Sequence, residues 1–205
     1  MLIPLLIASF LGYAPAGPRT GGPAIGEPPV FAEASPVPGL EESFAGELAK
    51  LRMLGEAGDP NAQAMLGIIY LRGAGVPADL DQAQFWLRKA AEQGHPAAQV
   101  KLAAMCFLGQ GMPVDLQQAA GWFRKAADQG EPHAQACLGV MCATGVGVPQ
   151  DLVEAYALLL QARAGGVEDG QETFLQLKRA LTPGQIEEGK RRALEAAGRR
   201  NSVKS

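Results

Sequence analysis

The chain has 205 residues, a formal charge of −3 and a pI near 5.5. It lacks the basic excess that nucleic-acid binding usually requires, and its length predicts about one domain. Aromatic residues make up only 6% of the sequence and glycine is abundant, a balance that favours closely packed short helices and predicts an all-α fold.

The N-terminus carries a short apolar segment. Residues 2–11 form the apolar run, and Ala14-Pro15-Ala16 after it has the small-x-small form of a signal-peptidase site. We therefore predict a signal peptide over residues 1–16 and export to the periplasm or the medium. No Lys or Arg precedes the run, so an uncleaved membrane anchor is the alternative, although roughly 20 apolar residues are needed to span a bilayer. Residues 17–39, rich in Pro and Gly, predict a flexible tether.

An internal repeat of 36 residues dominates the rest of the chain. Glycine, proline, aspartate and tryptophan recur at this step without a slip, and they define units at residues 59–94, 95–130 and 131–166. The positions that define the repeat are Gly73, Gly75, Asp79, Trp86, Gly109, Gly111, Asp115, Trp122, Gly145, Gly147 and Asp151.

Each unit predicts two helices. Pro60 suits the first position of the first helix, and Gly73 suits its left-handed C-cap. Asp79 with Gln82 has the spacing of a capping box that opens the second helix, and the other units repeat this pattern. Both helices carry one apolar face, so neighbouring units must stack to bury it. Gly67 and Gly139 would let the paired helices approach closely.

The predicted architecture is a short right-handed α/α superhelix with a helical cap at each end. The front cap is a lone helix within residues 40–58. The rear cap covers residues 167–197 and contains two helices, the first carrying Phe174, Leu177 and Leu181. The second opens at a capping box formed by Thr182 and Gln185. Residues 198–205 are polar and predict a disordered tail.

These repeats resemble the Sel-1-like repeat family, which is related to the tetratricopeptide class. In the first unit the residues that carry the resemblance are Ala64, Leu66, Gly67, Tyr70, Gly73, Gly75, Val76, Pro77, Asp79, Ala83, Trp86, Lys89, Ala90, Ala91, Glu92, Gln93 and Gly94. The chain departs from the pattern at Cys106 and Cys142, which replace the tyrosine, and at Leu158 and Gln161, which replace tryptophan and lysine. The resemblance implies an adaptor that binds other proteins, in many cases in the bacterial envelope.

Catalytic chemistry finds little support in the repeats. Some related cysteine-rich proteins resemble penicillin-binding β-lactamases, but this chain lacks their paired cysteines, and no serine lies between residues 59 and 166. His133 and Cys137 share a helix face as a conceivable dyad or metal site, without a third group nearby in sequence. The alternative is two ordinary residues on a helix surface. Cys106 and Cys142 are predicted to be free thiols that fill the core, and His95 is predicted to cap a helix. We expect no metal, cofactor or enzymatic activity.

The positions that change from unit to unit are the candidates for partner binding. They lie on the first helices, which we expect to line the concave face, and a protein or peptide is the expected partner. The candidates are Met65, Lys101, Cys137, Ile68, Ala104, Val140, Arg72, Leu108 and Thr144.

The sequence also bears on other partners and functions. The basic stretch 190–192, with Arg199, Arg200 and Lys204, could attract anionic lipid or an acidic partner. Glutamates are interleaved with it, so a solvated helix face is the favoured interpretation. We expect no nucleic-acid partner, membrane contact only through an uncleaved N-terminus, and a monomer or weak dimer. An envelope hydrolase of the β-lactamase type is the alternative function. A purely structural module of the envelope is a third.

Overall fold

The computed structural model describes the backbone of residues 40–203 and the side chains of residues 45–200. The predicted signal peptide and tether lie outside the described residues. Within residues 40–203 the fold is all-helical, with no strand. The helices are α1 (Leu40–Glu56), α2 (Pro60–Arg72), α3 (Leu80–Glu92), α4 (Pro96–Leu108), α5 (Leu116–Asp128), α6 (Pro132–Thr144), α7 (Leu152–Ala164), α8 (Gln171–Ala180) and α9 (Pro183–Val203).

The first helices of the three units, α2, α4 and α6, begin and end as predicted. Each begins at a proline, and the Asp59 carboxylate accepts a hydrogen bond from the Ala62 N–H (2.7 Å). The predicted cap at His95 is confirmed, because its Nδ1 accepts from the Ala98 N–H at 3.3 Å. Each helix ends at a glycine with positive φ, which is 65° at Gly73. A residue with a Cβ would be strained in this conformation, so the 36-residue glycine step has a backbone cause.

The second helices, α3, α5 and α7, open at the three predicted aspartates. The Asp79 carboxylate accepts from the Gln82 N–H at 2.9 Å. In the predicted capping box the Gln82 side chain would accept from the backbone N–H of Asp79. That N–H donates instead to the Tyr70 carbonyl, at 3.0 Å. The same bond joins Asp115 to the Cys106 carbonyl. The cap therefore ties each second helix back to its own first helix, and the full reciprocal box forms only at Thr182 among the capping boxes predicted in the described chain.

Consecutive helices pack against one another, which confirms the predicted superhelix. The close approach expected at Gly139 is present, because a Cβ there would lie 2.8 Å from the Leu159 Cγ. Trp86 of α3 packs beside Gly55 of α1, so its ring lies between these two helices. Trp122 contacts the apolar cluster of the first two units and also that of the last two. The core is therefore continuous from unit to unit.

Buried glutamines form a ladder that the sequence analysis missed. Gln63, Gln99 and Gln135 are at most 3% exposed. Their side-chain N–H groups donate to the carbonyls of Gly55, Ala91 and Ala127, at 2.9, 3.1 and 3.2 Å. These carbonyls lie in α1, α3 and α5, so each bond joins a first helix to the helix before it in the chain. Because an unpaired buried carbonyl or amide is costly, these bonds fix one unit against the next.

The far end of the ladder changes in the third unit. Gln93 donates to the Gln63 Oε1 at 2.7 Å, and Gln129 donates to the Gln99 Oε1 at 2.8 Å. Gly165 stands at the equivalent position in the third unit. There Gln161, one turn earlier, accepts from Gln135 at 3.3 Å and also from the Arg200 guanidinium at 2.8 Å.

The rear cap consists of two helices, as predicted. Phe174 and Leu177 of α8 and Leu181 after it are buried, and the Phe174 ring stacks on Tyr156 at a centroid distance of 5.0 Å. Helix α9 packs along α7, where a Cβ at Gly189 would lie 2.7 Å from the Tyr156 ring.

Helix α9 continues to Val203, beyond its predicted end at Ala197, so residues 198–203 are helical and not a disordered tail. Arg200 explains the extension, since it is held by Gln161 and lies against Gly130. The basic stretch is solvated, as predicted, and paired within the helix: Lys190 with Glu187 at 2.7 Å, and Arg191 with Glu188 at 2.8 Å.

Candidate functional site

The variable positions of the first two units form an accessible surface on α2 and α4, which we call the first-helix face. Met65 is 52% exposed although it is apolar, and Arg72 is exposed. Ile68 and Leu108 are partly buried beside them. An apolar surface with cationic groups is a suitable contact region for another protein.

Lys101 gives this face an unusual electrostatic feature. The side chain is partly buried, and burial lowers the pKa of its amine, with the positive charge of Arg72 adding to the shift. Within residues 45–200 neither Lys101 nor Arg72 forms an ion pair with a carboxylate. Two like charges are thus held near each other without compensation from the described part of the chain.

The structure does not expose all nine candidate positions. Ala104, Cys137 and Val140 are at most 4% exposed. In the third unit the cause is the rear cap, because Gly170 and α8 cover the face that α2 and α4 leave open. Thr144 is exposed, and its hydroxyl donates to the Val140 carbonyl at 2.8 Å. The accessible candidates are therefore concentrated in the first two units.

The conceivable dyad of His133 and Cys137 does not form. Nδ1 of the exposed His133 lies 3.3 Å from an oxygen of Asp169. Cys137 is buried rather than on the helix surface, and burial, with a smaller contribution from Asp169, raises the pKa of its thiol to about 12. Such a thiol is almost wholly protonated at neutral pH and is a poor nucleophile.

The other two cysteines fill the core, as predicted. Cys106 and Cys142 are free and buried. The Cys106 thiol donates to the Gln118 Oε1 at 3.0 Å, and burial raises the pKa of both thiols.

The described part of the chain holds neither a grouped set of metal ligands nor a helix that could span a membrane. Among these residues no three His, Cys, Asp or Glu side chains are grouped so that they could hold a metal ion. No helix in the same part combines the length and the apolar character needed to cross a bilayer.

A family model for the Sel1 repeat matches residues 60–95, 96–131 and 132–167, one residue later than the predicted units. The chain belongs to the Sel1 repeat family. The Sel1 fold is commonly a protein–protein interaction scaffold, and the family is typically non-enzymatic. No curated protein is significantly similar to this Sel1 repeat chain.

Several solved structures resemble this Sel1 chain, among them the following two. A Sel1 repeat protein from Oxalobacter formigenes is 36% identical, with a TM-score of 0.59, over 63% of this chain and 98% of its own length. A protective antigen present in uropathogenic Escherichia coli strains, which displays an SLR fold, is 35% identical with a TM-score of 0.65. The match covers 77% of this chain and 36% of the antigen, so the chain spans about a third of that protein.

Proposed function

We propose that the protein is an exported scaffold of the bacterial envelope that binds a segment of another protein on the first-helix face. The observation that carries this proposal is the pair of cations Lys101 and Arg72, which no described carboxylate pairs with, on the two helices that also expose the apolar Met65. A partner carboxylate would relieve the repulsion between the cations, and apolar partner side chains would cover Met65. The signal-like N-terminal sequence supports export.

The hydrolase alternative is less well supported. Acylation requires an activated nucleophile. Residues 59–166 contain no serine, and the Cys137 thiol is buried with a pKa of about 12. Hydrolysis of nitrocefin by the purified protein would restore this alternative.

Site-specific photo-crosslinking tests the binding face. A benzoylphenylalanine at position 65 reports on the first-helix face, and one at position 85 is the matched control, because Phe85 is 47% exposed in the same unit but on the second helix. In intact source cells we expect one discrete adduct from position 65 and none from position 85. Mass spectrometry of the same sample reads the processed N-terminus, for which residue 17 is the expected start.

Affinity measurements then test the individual contacts. With the crosslinked partner purified, Lys101→Ala and Met65→Ala should each weaken binding by about tenfold, the effect of losing one good interface contact. Equal adducts from both positions, or unchanged affinity in both variants, would show that the partner binds elsewhere.

A further inference from the structure

Helix α1 stands in the place of a second helix that has no first helix of its own among the described residues. Residues 44–56 of α1 lie 36 residues before α3. The Gly55 carbonyl accepts from the Gln63 side chain, just as the Ala91 carbonyl accepts from Gln99 one unit later. Within residues 40–203 no helix precedes α1. The side of α1 that would pair with a first helix is therefore without that partner in the described part of the chain.

The complete units show what covers this side of a second helix. A Cβ at Gly67 would lie 2.5 Å from the Leu87 Cγ, so the first helix places a small residue directly against that leucine. Gly139 and Leu159 meet in the same way. The positions on this side that are at most 1% exposed are Leu87, Ala90, Phe123, Ala126, Leu159 and Ala162. The cover is thus a helix with a small residue at the point of closest approach.

The same side of α1 is open. Leu51 and Leu54 stand at the positions of Leu87 and Ala90. Leu54 is 45% exposed and Leu51 is partly exposed, although Leu54 is larger than the alanine that each complete unit buries fully. We call the surface formed by Glu47, Leu51 and Leu54 the open face of α1. It is an apolar strip at helical spacing, which is the kind of surface that binds an amphipathic helix.

Glu47 gives the open face a charge that the complete units lack. The equivalent residues are fully buried alanines, Ala83, Ala119 and Ala155. Glu47 is exposed, and it forms no ion pair with any side chain of residues 45–200. A carboxylate that enters an apolar contact needs a cation opposite it, because an unpaired charge is costly to bury. A helix that covers this face therefore needs a lysine or an arginine.

The orientation of the helix pairs places that cation. Gln93 donates to Gln63 at one end of the first pair, and the Asp79 N–H donates to the Tyr70 carbonyl at the other, so the two helices run antiparallel. Glu47 lies one turn before Leu51. In an antiparallel pair it lies opposite the residue one turn beyond the small residue that contacts Leu51.

The sequence before α1 is unsuited to supply this helix. Residues 24–36 stand one repeat length before α2 and include Pro28 and Pro29, at the positions of Ala64 and Met65 in α2. Proline in a helix interior removes a hydrogen bond and clashes with the preceding turn. A helix on the open face is thus better supplied by another protein.

We propose that the open face of α1 is a second interaction site, which binds an amphipathic helix of a partner protein in the place of the missing first helix. The partner helix runs antiparallel to α1, sets a glycine or an alanine against Leu51 and brings a lysine or an arginine to Glu47. The site does not include Lys101 or Met65 of the first-helix face, so the protein can hold two different protein segments at once.

A synthetic helix tests the proposal on the full-length protein. The probe is a fluorescein-labelled peptide with the sequence of residues 59–73 and the change Leu71→Lys, which puts the lysine one turn beyond Gly67. In fluorescence anisotropy we expect saturable binding with a Kd on the order of 100 µM, because so short a peptide must also order into a helix. Two control peptides carry Gly67→Leu beside the lysine, or Leu71→Glu in its place. Each should bind at least about fivefold more weakly.

Variants of the protein locate the binding on α1. Leu54→Lys puts a charge into the apolar strip and should weaken binding by about tenfold or more. Leu194→Lys is the matched control, because Leu194 is 74% exposed on α9, and it should leave the Kd within about twofold. Glu47→Lys should weaken binding of the lysine peptide and restore that of the glutamate peptide, a rescue that a merely misfolded variant would not show. Lys101→Ala should have no effect, because it lies on the first-helix face.

Photo-crosslinking from α1 identifies the occupant. With benzoylphenylalanine at position 54 of the full-length protein, we expect an adduct with the probe peptide. An adduct to residues 17–39 of the same chain would make that segment the occupant, and a crosslinked dimer would make it a second copy. Either result would overturn the proposal, as would the absence of saturable binding or a Leu54→Lys variant that binds as tightly as the parent protein. Cooperative urea unfolding of each variant shows whether it has folded.

Discussion

The second and third units have the same length and the same aspartate cap on their second helices, yet they end differently. The second unit has Trp122, Lys125 and Gln129 on its second helix, where the third has Leu158, Gln161 and Gly165. In the second unit these residues serve the neighbouring repeats, through ring packing and the glutamine ladder. In the third unit no further repeat follows, and the same surface receives α9 through Arg200. The changes therefore suit a last repeat that must be covered by a different kind of helix.

The first helices show a second difference between the same units. Lys101 of the second unit lies on the surface beside Arg72, whereas its equivalent Cys137 is sealed beneath the rear cap. In the third unit the rear cap thus covers the variable positions of the first helix and closes the core. In the first two units most variable positions of the first helices stay accessible, so we expect the proposed partner to bind to those units.

The largest predicted effect concerns the ladder. Gln135→Ala removes the donor to the Ala127 carbonyl and leaves a cavity in the core, so we expect a loss of about 2–3 kcal/mol in the free energy of unfolding. Gln161→Ala and Gln129→Ala should cost less, about 1 kcal/mol each, because these side chains lie nearer the solvent. Urea unfolding followed by circular dichroism measures all three changes.

An exposed glutamine provides the control for the ladder. Gln150 makes one bond, to the Ala143 carbonyl at 2.8 Å, and Gln150→Ala should cost less than about 0.5 kcal/mol. If Gln129→Ala destabilised the protein and Gln161→Ala did not, Gln161 would not replace Gln129 in the ladder of the third unit.

An intermediate effect is expected when the second unit is made to look like the third. Trp122→Leu removes a ring that packs against two clusters and its contact with Lys125, and it should cost about 2 kcal/mol. The reverse change, Leu158→Trp, enlarges a side chain that is only 6% exposed and packs in the core, so it should also destabilise the protein, by about 1–3 kcal/mol. Thermal and urea unfolding of the two variants measure both costs, and an unchanged stability in Trp122→Leu would contradict the packing of this ring against two clusters.

The 36-residue step predicted the fold well because glycine and proline have few alternatives. A left-handed helix cap favours glycine, as at Gly73, and the first turn of a helix tolerates proline, as at Pro60, because its N–H would be unpaired there. The recurrence of these residues therefore identifies the helix ends directly. The buried ladder was available from the same step, since Gln63, Gln99 and Gln135 recur with it. A glutamine within a helix nevertheless suggests solvent, and only the packing shows that it reaches a carbonyl of another unit.

The candidate site was harder to predict because variability alone does not report exposure. Cys137 and Val140 vary between units as Met65 does, yet α8 buries them. Their burial depends on where α8 packs after the last repeat, and the 36-residue pattern carries no information on that position. The surface of the third unit depends likewise on α9, which packs through Ile186, Gly189 and Arg200.

The smallest predicted effect is on the free energy of unfolding when Lys101 is replaced, and it tests whether this lysine lowers the stability of the fold. Lys101→Met introduces the residue type that Met65 supplies in the first unit. The pKa of Lys101 is lowered because burial and Arg72 disfavour its charged form, so the charge costs the folded state stability. Removing the charge should therefore stabilise the protein, by a few tenths of a kcal/mol after solvent screening.

The pH dependence gives this prediction its sign. Because the folded pKa lies below the unfolded value of 10.5, the penalty is fully present at neutral pH and disappears as the pH rises through the lowered pKa toward 10.5. The gain from Lys101→Met should shrink over the same range. Met65→Lys, at a more exposed position, should be close to neutral. Destabilisation by Lys101→Met at pH 7 would mean that the lysine stem contributes more by packing than its charge costs. Lys101 would then give no reason to expect an acidic partner.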